Sequence, residues 1–188
     1  MHRLTLSWNP DGPHGQSELR LFVDDVDLVE ILRSVELPDA EGEGHPSIAG
    51  GYAGLAASRL RGRLVEHYLG GPGSHMHCGP HEKTVLLSCA CGEPGCWPLM
   101  ARVEVTGADV RWLDFEQPHR DRSSYESLGP LVFDKDAYER VLADAETSAR
   151  RLRRGRPANS QLRSWIYPPH CCRSSRRVSH KPGDVRRV

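Results

Sequence analysis

KTVLLSCACGEPGCWPLMARVEVTGADVRWLDFEQPHR, residues 83–120, decides the fold of this chain. It opens on a β-prone run, KTVLLSCAC (83–91), and resumes in PLMARVEV (98–105), where apolar and polar side chains alternate. The turn TGAD (106–109) leads into DVRWLDF (109–115), which sets Val110, Trp112 and Asp114 against Arg111, Leu113 and Phe115. Alternation of period two between turn formers marks half-buried strands. Connections this short join antiparallel neighbours, so the stretch predicts an antiparallel meander.

Towards the N-terminus, RLTLSW (3–8) and ELRLFV (18–23) alternate in the same way around NPDGPHGQS (9–17), which predicts a hairpin with a long loop. Asp24 or Asp25 is then placed to cap a short helix carrying Leu28, Val29, Leu32 and Val35 on one face, with Pro38 as its stop. DAEGEGHPSIAGGYAG (39–54) reads as a loop. Its GGYAG lacks the lysine and the strand-to-helix setting that a phosphate-cradling turn needs. Residues 55–69 are expected to be helical despite poor apolar spacing, and GGPGSHMHCGPH (70–81) reads as another loop.

Beyond the meander, LVF (131–133) is a short strand. Asp134 caps a long helix with Tyr138, Val141, Leu142, Ala145, Ala149 and Leu152 at helical spacing. Asp134 and Asp136 lie at its positive end and Arg150, Arg151, Arg153 and Arg154 at its negative end, and Gly155 with Pro157 stops it. The expected fold class is α+β. An antiparallel sheet, made of the N-terminal hairpin and the central meander, is joined by a short helix after the hairpin and a long C-terminal helix.

The 188 residues suffice for one domain with a real core, and 38% apolar content suits a soluble chain. No apolar run approaches the roughly 20 residues that cross a bilayer, and MHRLTLSWNP lacks the apolar core of a secretory signal. A cytoplasmic location with no membrane contact is expected. There the six cysteines serve as thiols or metal ligands rather than disulfides. The zero net charge conceals an asymmetry. Residues 1–147 carry 13 Lys and Arg against 24 Asp and Glu, a net −11, and residues 148–188 carry 12 basic residues against Asp184, a net +11. The division is drawn between a domain at 1–154 and a basic, largely disordered tail at 155–188.

Cys89, Cys91 and Cys96 carry the chemistry. Residues two apart on a strand share a face, and Gly92 and Gly95 let the backbone fold back to bring Cys96 towards the other two. Thiolates converging on one point at about 2.3 Å each suit a tetrahedral zinc ion. The meander topology returns FEQPHR (115–120) to the cluster end, which nominates His119 as fourth ligand with Glu116 behind it. Cys78, His75, His77 and His81 precede the first strand, so they are expected near its opposite end, about 20 Å away.

Packed thiols and a redox or nucleophilic pair are the competing readings of the cluster. A closed zinc site is favoured over a hydrolytic one, for which Glu93 or Glu116 would be the base. Trp97, Trp112, Phe115 and Tyr125 are expected in the core and walls. The tail, with Arg150, Arg151, Arg153, Arg154, Arg156, Arg173, Arg176 and Arg177 around Trp165 and Tyr167, is a candidate nucleic-acid contact by counterion release.

CACGEPGCWPL, FEQPHR and LGPLVFDKDAYE together resemble the shared pattern of a family of small, uncharacterised bacterial proteins, mostly actinobacterial. The resemblance covers roughly residues 83–142. It implies that Cys89, Cys91, Cys96 and His119 belong to the family's pattern, and it brings no activity with it. The function expected is that of a non-enzymatic binding or regulatory protein with a zinc-stabilised turn, acting on a protein partner whose basic surface complements the acidic body. The alternatives are a small zinc hydrolase or thiol enzyme, and a nucleic-acid binder working through the tail.

Overall fold

Alternation at Leu4, Leu6 and Trp8 builds β1 (Leu4–Asn9), which pairs antiparallel with β2 (Glu18–Val23) from Leu4↔Val23 to Asn9↔Glu18. The structure, a computed structural model, describes residues 1–12, 15–60, 63–71, 77–78, 83–92, 95–120 and 125–155, with backbone alone at 77–78 and 152–155. A two-residue reversal at Asp24 and Asp25, at φ 50° and 68°, turns β2 into β3 (Val26–Asp27). Aspartate tolerates this left-handed backbone better than most residues. Asp24 accepts from the Arg3 N–H at 2.8 Å, and Asp25 pairs with the Arg3 guanidinium.

With Asp24 and Asp25 used in the turn, the helix cap moves to Asp27. Its carboxylate accepts from the Val29 N–H at 2.9 Å and starts α1 (Leu28–Gly42). Pro38 does not end this helix. It forgoes one backbone hydrogen bond, but the stripe Leu28, Leu32, Glu36 and Ala40 is buried and keeps the last turns on the core. Gly44, at φ 76°, closes the end while the His45 N–H donates to the Ala40 carbonyl at 2.8 Å.

The expected loop at 39–54 is therefore partly regular. After a single turn at Pro46–Ile48 the chain forms β4 (Tyr52–Ala53) and β5 (Leu55–Ala56). A Cβ on the intervening Gly54 would lie 2.1 Å from the Leu19 carbonyl oxygen, so only glycine lets the chain pass this close to β2. The expected helix at 55–69 breaks into β5, α2 (Ala57–Leu60) and α3 (Leu64–Tyr68). Its apolar residues serve different neighbours. Leu55 pairs with Leu19, while Tyr68 Oη donates to the Leu86 carbonyl.

The meander forms as expected. β6 (His77–Cys78) and β7 (Lys83–Cys89) are followed by β8 (Leu99–Val105), β9 (Asp109–Glu116) and β10 (Leu131–Asp134). The sheet order is β10-β9-β8-β7-β4, antiparallel throughout. Lys83 to Ser88 are buried on both faces, which explains why β7 does not alternate in sequence. β9 carries a bulge at Asp114, which takes φ 50°.

α4 (Lys135–Gly155) starts where Asp134 accepts from the Ala137 N–H at 2.8 Å. It is tied to the core by Trp8 Nε1 donating to the Ala145 carbonyl, Trp112 Nε1 to Tyr138 Oη, and Tyr138 Oη to the Tyr68 carbonyl. The hairpin sheet and the meander sheet share two borders. At one, β4 pairs with β7 and β5 with β2; at the other, the His2 N–H donates to the Val132 carbonyl at 2.6 Å. No described helix is long and apolar enough to cross a membrane.

Candidate metal centre

Cys89 is the last residue of β7, and Tyr52 of β4 lies opposite it in the sheet. Next along the chain, the Ala90 N–H donates to the Gly51 carbonyl at 3.0 Å, pinning the start of the turn to the loop before β4. The Gly92 N–H then donates back to the Cys89 carbonyl at 2.8 Å, with Gly92 at φ 83°. This tight reversal turns the Cys91 N–H onto Cys89 Sγ at 3.4 Å. Such an N–H donated to sulfur favours a thiolate. The result is a compact donor set: Sγ of Cys89, Cys91 and Cys96 all lie within 4.8 Å of one another. Sulfurs around a tetrahedral zinc sit about 3.8 Å apart at a bond length of about 2.3 Å, so small side-chain rotations suffice to enclose an ion.

Cys91 and Cys96 are exposed and Cys89 is half-buried, and none of the three is in a disulfide. Burial pushes the Cys89 thiol up to about 12, the nearby Cys91 and Cys96 thiols add to the rise, and the Cys91 N–H opposes it. A nucleophilic or redox-active cysteine has the opposite signature, a depressed pKa in a positive setting.

The other sequence-derived candidates fall as follows. His119 reaches the cluster end of the sheet, where its Nε2 lies 3.3 Å from the Gly95 carbonyl oxygen and its ring stacks on Trp97 at 6.4 Å between centroids. The group of donors within 4.8 Å of one another consists of the three sulfurs and does not include His119. Glu116 pairs with Lys83 Nζ at 2.5 Å. His77 and Cys78 pair with Thr84 and Lys83, at the opposite end of β7 from Cys89. Glu93, His75 and His81 lie outside the described residues. Trp112 is fully buried, and Tyr125 is a buried hydrogen-bonding residue.

Arg150 and Arg151 lie on α4, where Arg150 approaches Glu146 at 3.4 Å. Arg153 and Arg154 are described by backbone alone. Arg156, Arg173, Arg176 and Arg177 lie outside the described residues, with the rest of 156–188.

One group near the site was not read from the sequence. Glu36, 1% exposed, accepts from the Gly50 N–H at 2.8 Å, Tyr52 Oη at 2.5 Å and Tyr125 Oη at 2.6 Å. It holds the loop that pairs with Cys89 and Ala90. The available signal was a carboxylate at the i+4 position of an apolar helical stripe, Leu28, Leu32, Glu36 and Ala40. Comparison with protein-family models, curated proteins and solved structures finds no match, so the functional reading rests on the geometry of this turn.

Proposed function

We propose that this protein is a non-enzymatic binding or regulatory protein whose Cys89–Cys96 turn is ordered by a zinc ion and which acts on a protein partner. The observation that carries the reading is the convergence of three sulfurs within 4.8 Å on a turn that also donates a backbone N–H to one of them. Soft thiolate sets select zinc, monovalent copper or iron–sulfur clusters, and zinc needs no redox partner. A structural role is supported by the neighbours. Glu116, one of the two candidate bases for a zinc hydrolase, is held by Lys83 at 2.5 Å. The net −11 of residues 1–147 suits a partner with a basic surface.

The test is metal analysis of the full chain purified under reducing conditions without added metal. Stoichiometric zinc is expected, with loss in Cys91→Ser and Cys96→Ser. A chain that carries no metal and takes up none on reconstitution overturns the metal reading and leaves a surface turn of unmetallated thiols.

A further inference from the structure

We infer that a cavity at the interrupted edge of β2 binds a small organic cation, an alkylammonium or alkylguanidinium whose N–H groups donate to Glu18. The site is separate from the cysteine turn and does not depend on an ion there. β1 pairs with one edge of β2 along its whole length. On the other edge β5 pairs at Glu18 and Leu19, and β3 pairs at Phe22 and Val23. Between these two short partners, Arg20 and Leu21 line a cavity of about 280 Å³. Val29 and Glu30 of α1, with Ala53 and Gly54 from the β4–β5 segment, continue its wall. The volume lies just below the roughly 300–1,000 Å³ of drug-sized pockets, which suits a charged head group on a short alkyl chain.

The wall is charged for a cation. Three carboxylates line it, Glu18, Asp27 and Glu30, against one guanidinium, Arg20, a net −2. Asp27 pairs with Arg20, and Glu30 lies 3.6 Å from Arg33. Glu18 is held differently. It is 8% exposed, and its oxygens accept from neutral donors, Asn9 Nδ2 at 2.9 Å and the Gly54 N–H at 3.0 Å. Asn9 and Gly54 themselves line the cavity, which places the carboxylate at its wall. A carboxylate accepts about four hydrogen bonds, so this one has room for two N–H groups of a ligand. A buried charge held on neutral donors is costly, and a cation beside it offsets that cost. The apolar wall, Leu21, Val29 and Leu87, suits the methylenes behind the head group. A bare metal ion fits less well, because the three carboxylates are not gathered within 4.8 Å of one another as the cysteine sulfurs are. Glu30 and Ala90 are exposed lining residues and mark the mouth.

The experiment titrates the full chain, kept reduced, with butylamine and with butylguanidine. Salt is held at about 0.15 M, where attraction to exposed charges is screened beyond about 8 Å. 1-Butanol is the control for the alkyl chain, and butyltrimethylammonium the control for charge without N–H groups. Binding is read from the amide chemical shifts of lining residues such as Leu21 and Gly54. The expected result is saturable shifts with both N–H cations and at least about tenfold weaker binding of both controls. Glu18→Gln is expected to weaken both cations by about tenfold or more. Ala90→Leu adds bulk at the mouth, leaves every charge in place and is expected to weaken them too; it carries the test if Glu18→Gln does not fold. Butanol that binds as tightly as butylamine overturns the inference, because the cavity then takes any short chain. Equal binding of butyltrimethylammonium overturns it as well, since no N–H is then being read. Cations that bind both variants as they bind the wild type sit elsewhere on the acidic body. That result overturns the inference, as does the absence of shifts with every probe.

Discussion

Glu36 shows how one buried side chain supports the site end of the fold. Its two oxygens accept from the Gly50 N–H, Tyr52 Oη and Tyr125 Oη, and burial together with the carboxylate holds both tyrosine hydroxyls far above their ordinary pKa. Every donor aimed at it lacks water as an alternative, so the group is worth most as an acceptor. Glu36→Gln keeps the shape but turns an N–H towards one of these donors. It is expected to lower the unfolding free energy by about 1–3 kcal/mol, read as a fall in urea midpoint at constant slope. Because Gly50 precedes the Gly51 carbonyl that accepts from Ala90, the same variant should speed hydrogen exchange at the Ala90 amide. Unchanged exchange there would mean that the network and the cysteine turn are mechanically independent.

At the scale of elements, legibility followed pattern strength. β1, β2, β8, β9 and α4 were readable because each carries a repeating apolar period over five or more residues. The segment 39–69 was not. Its ordering forces are non-local: a carboxylate under Gly50, a glycine against the Leu19 backbone, and two-residue strands completed by β2 and β7. The three cysteines were readable as a cluster because strand spacing and two glycines act locally. The placement of His119 depended on a hydrogen bond and a ring stack that no spacing encodes.

Pro38 is the sharpest miss, since a helix breaker normally wins over a short helix. Here the buried stripe ending at Ala40 outweighs one missing hydrogen bond. Pro38→Ala restores an N–H facing the Ser34 carbonyl, while loosening the unfolded chain. A net gain of about 1–2 kcal/mol is expected from the difference between these effects. A loss of stability on thermal or urea unfolding would show that Pro38 is favoured at this position and that the helix gains nothing from the restored bond.

For the whole molecule, the cysteine turn lies where the two sheets meet. β7 ends at Cys89 against β4, β5 continues from β4 onto β2, and the 117–120 turn arrives through His119 at Gly95. An ion there would bind the native arrangement more tightly than the unfolded chain, although the three cysteines lie within eight residues of sequence, so binding to the unfolded chain reduces the gain. Stability is then expected to rise with the logarithm of free zinc, by at most about 2.7 kcal/mol at a hundredfold excess over the dissociation constant. For a chain of 188 residues that corresponds to about 5–10 °C in Tm. Calorimetry at buffered zinc concentrations, against a chelator and under reducing conditions, measures the slope directly. A Tm rising with zinc in the wild type but flat in Cys96→Ser places the effect at this turn. A Tm independent of zinc in both would show that the folded turn holds no ion more tightly than the unfolded chain does, and that the border between the sheets stands without one.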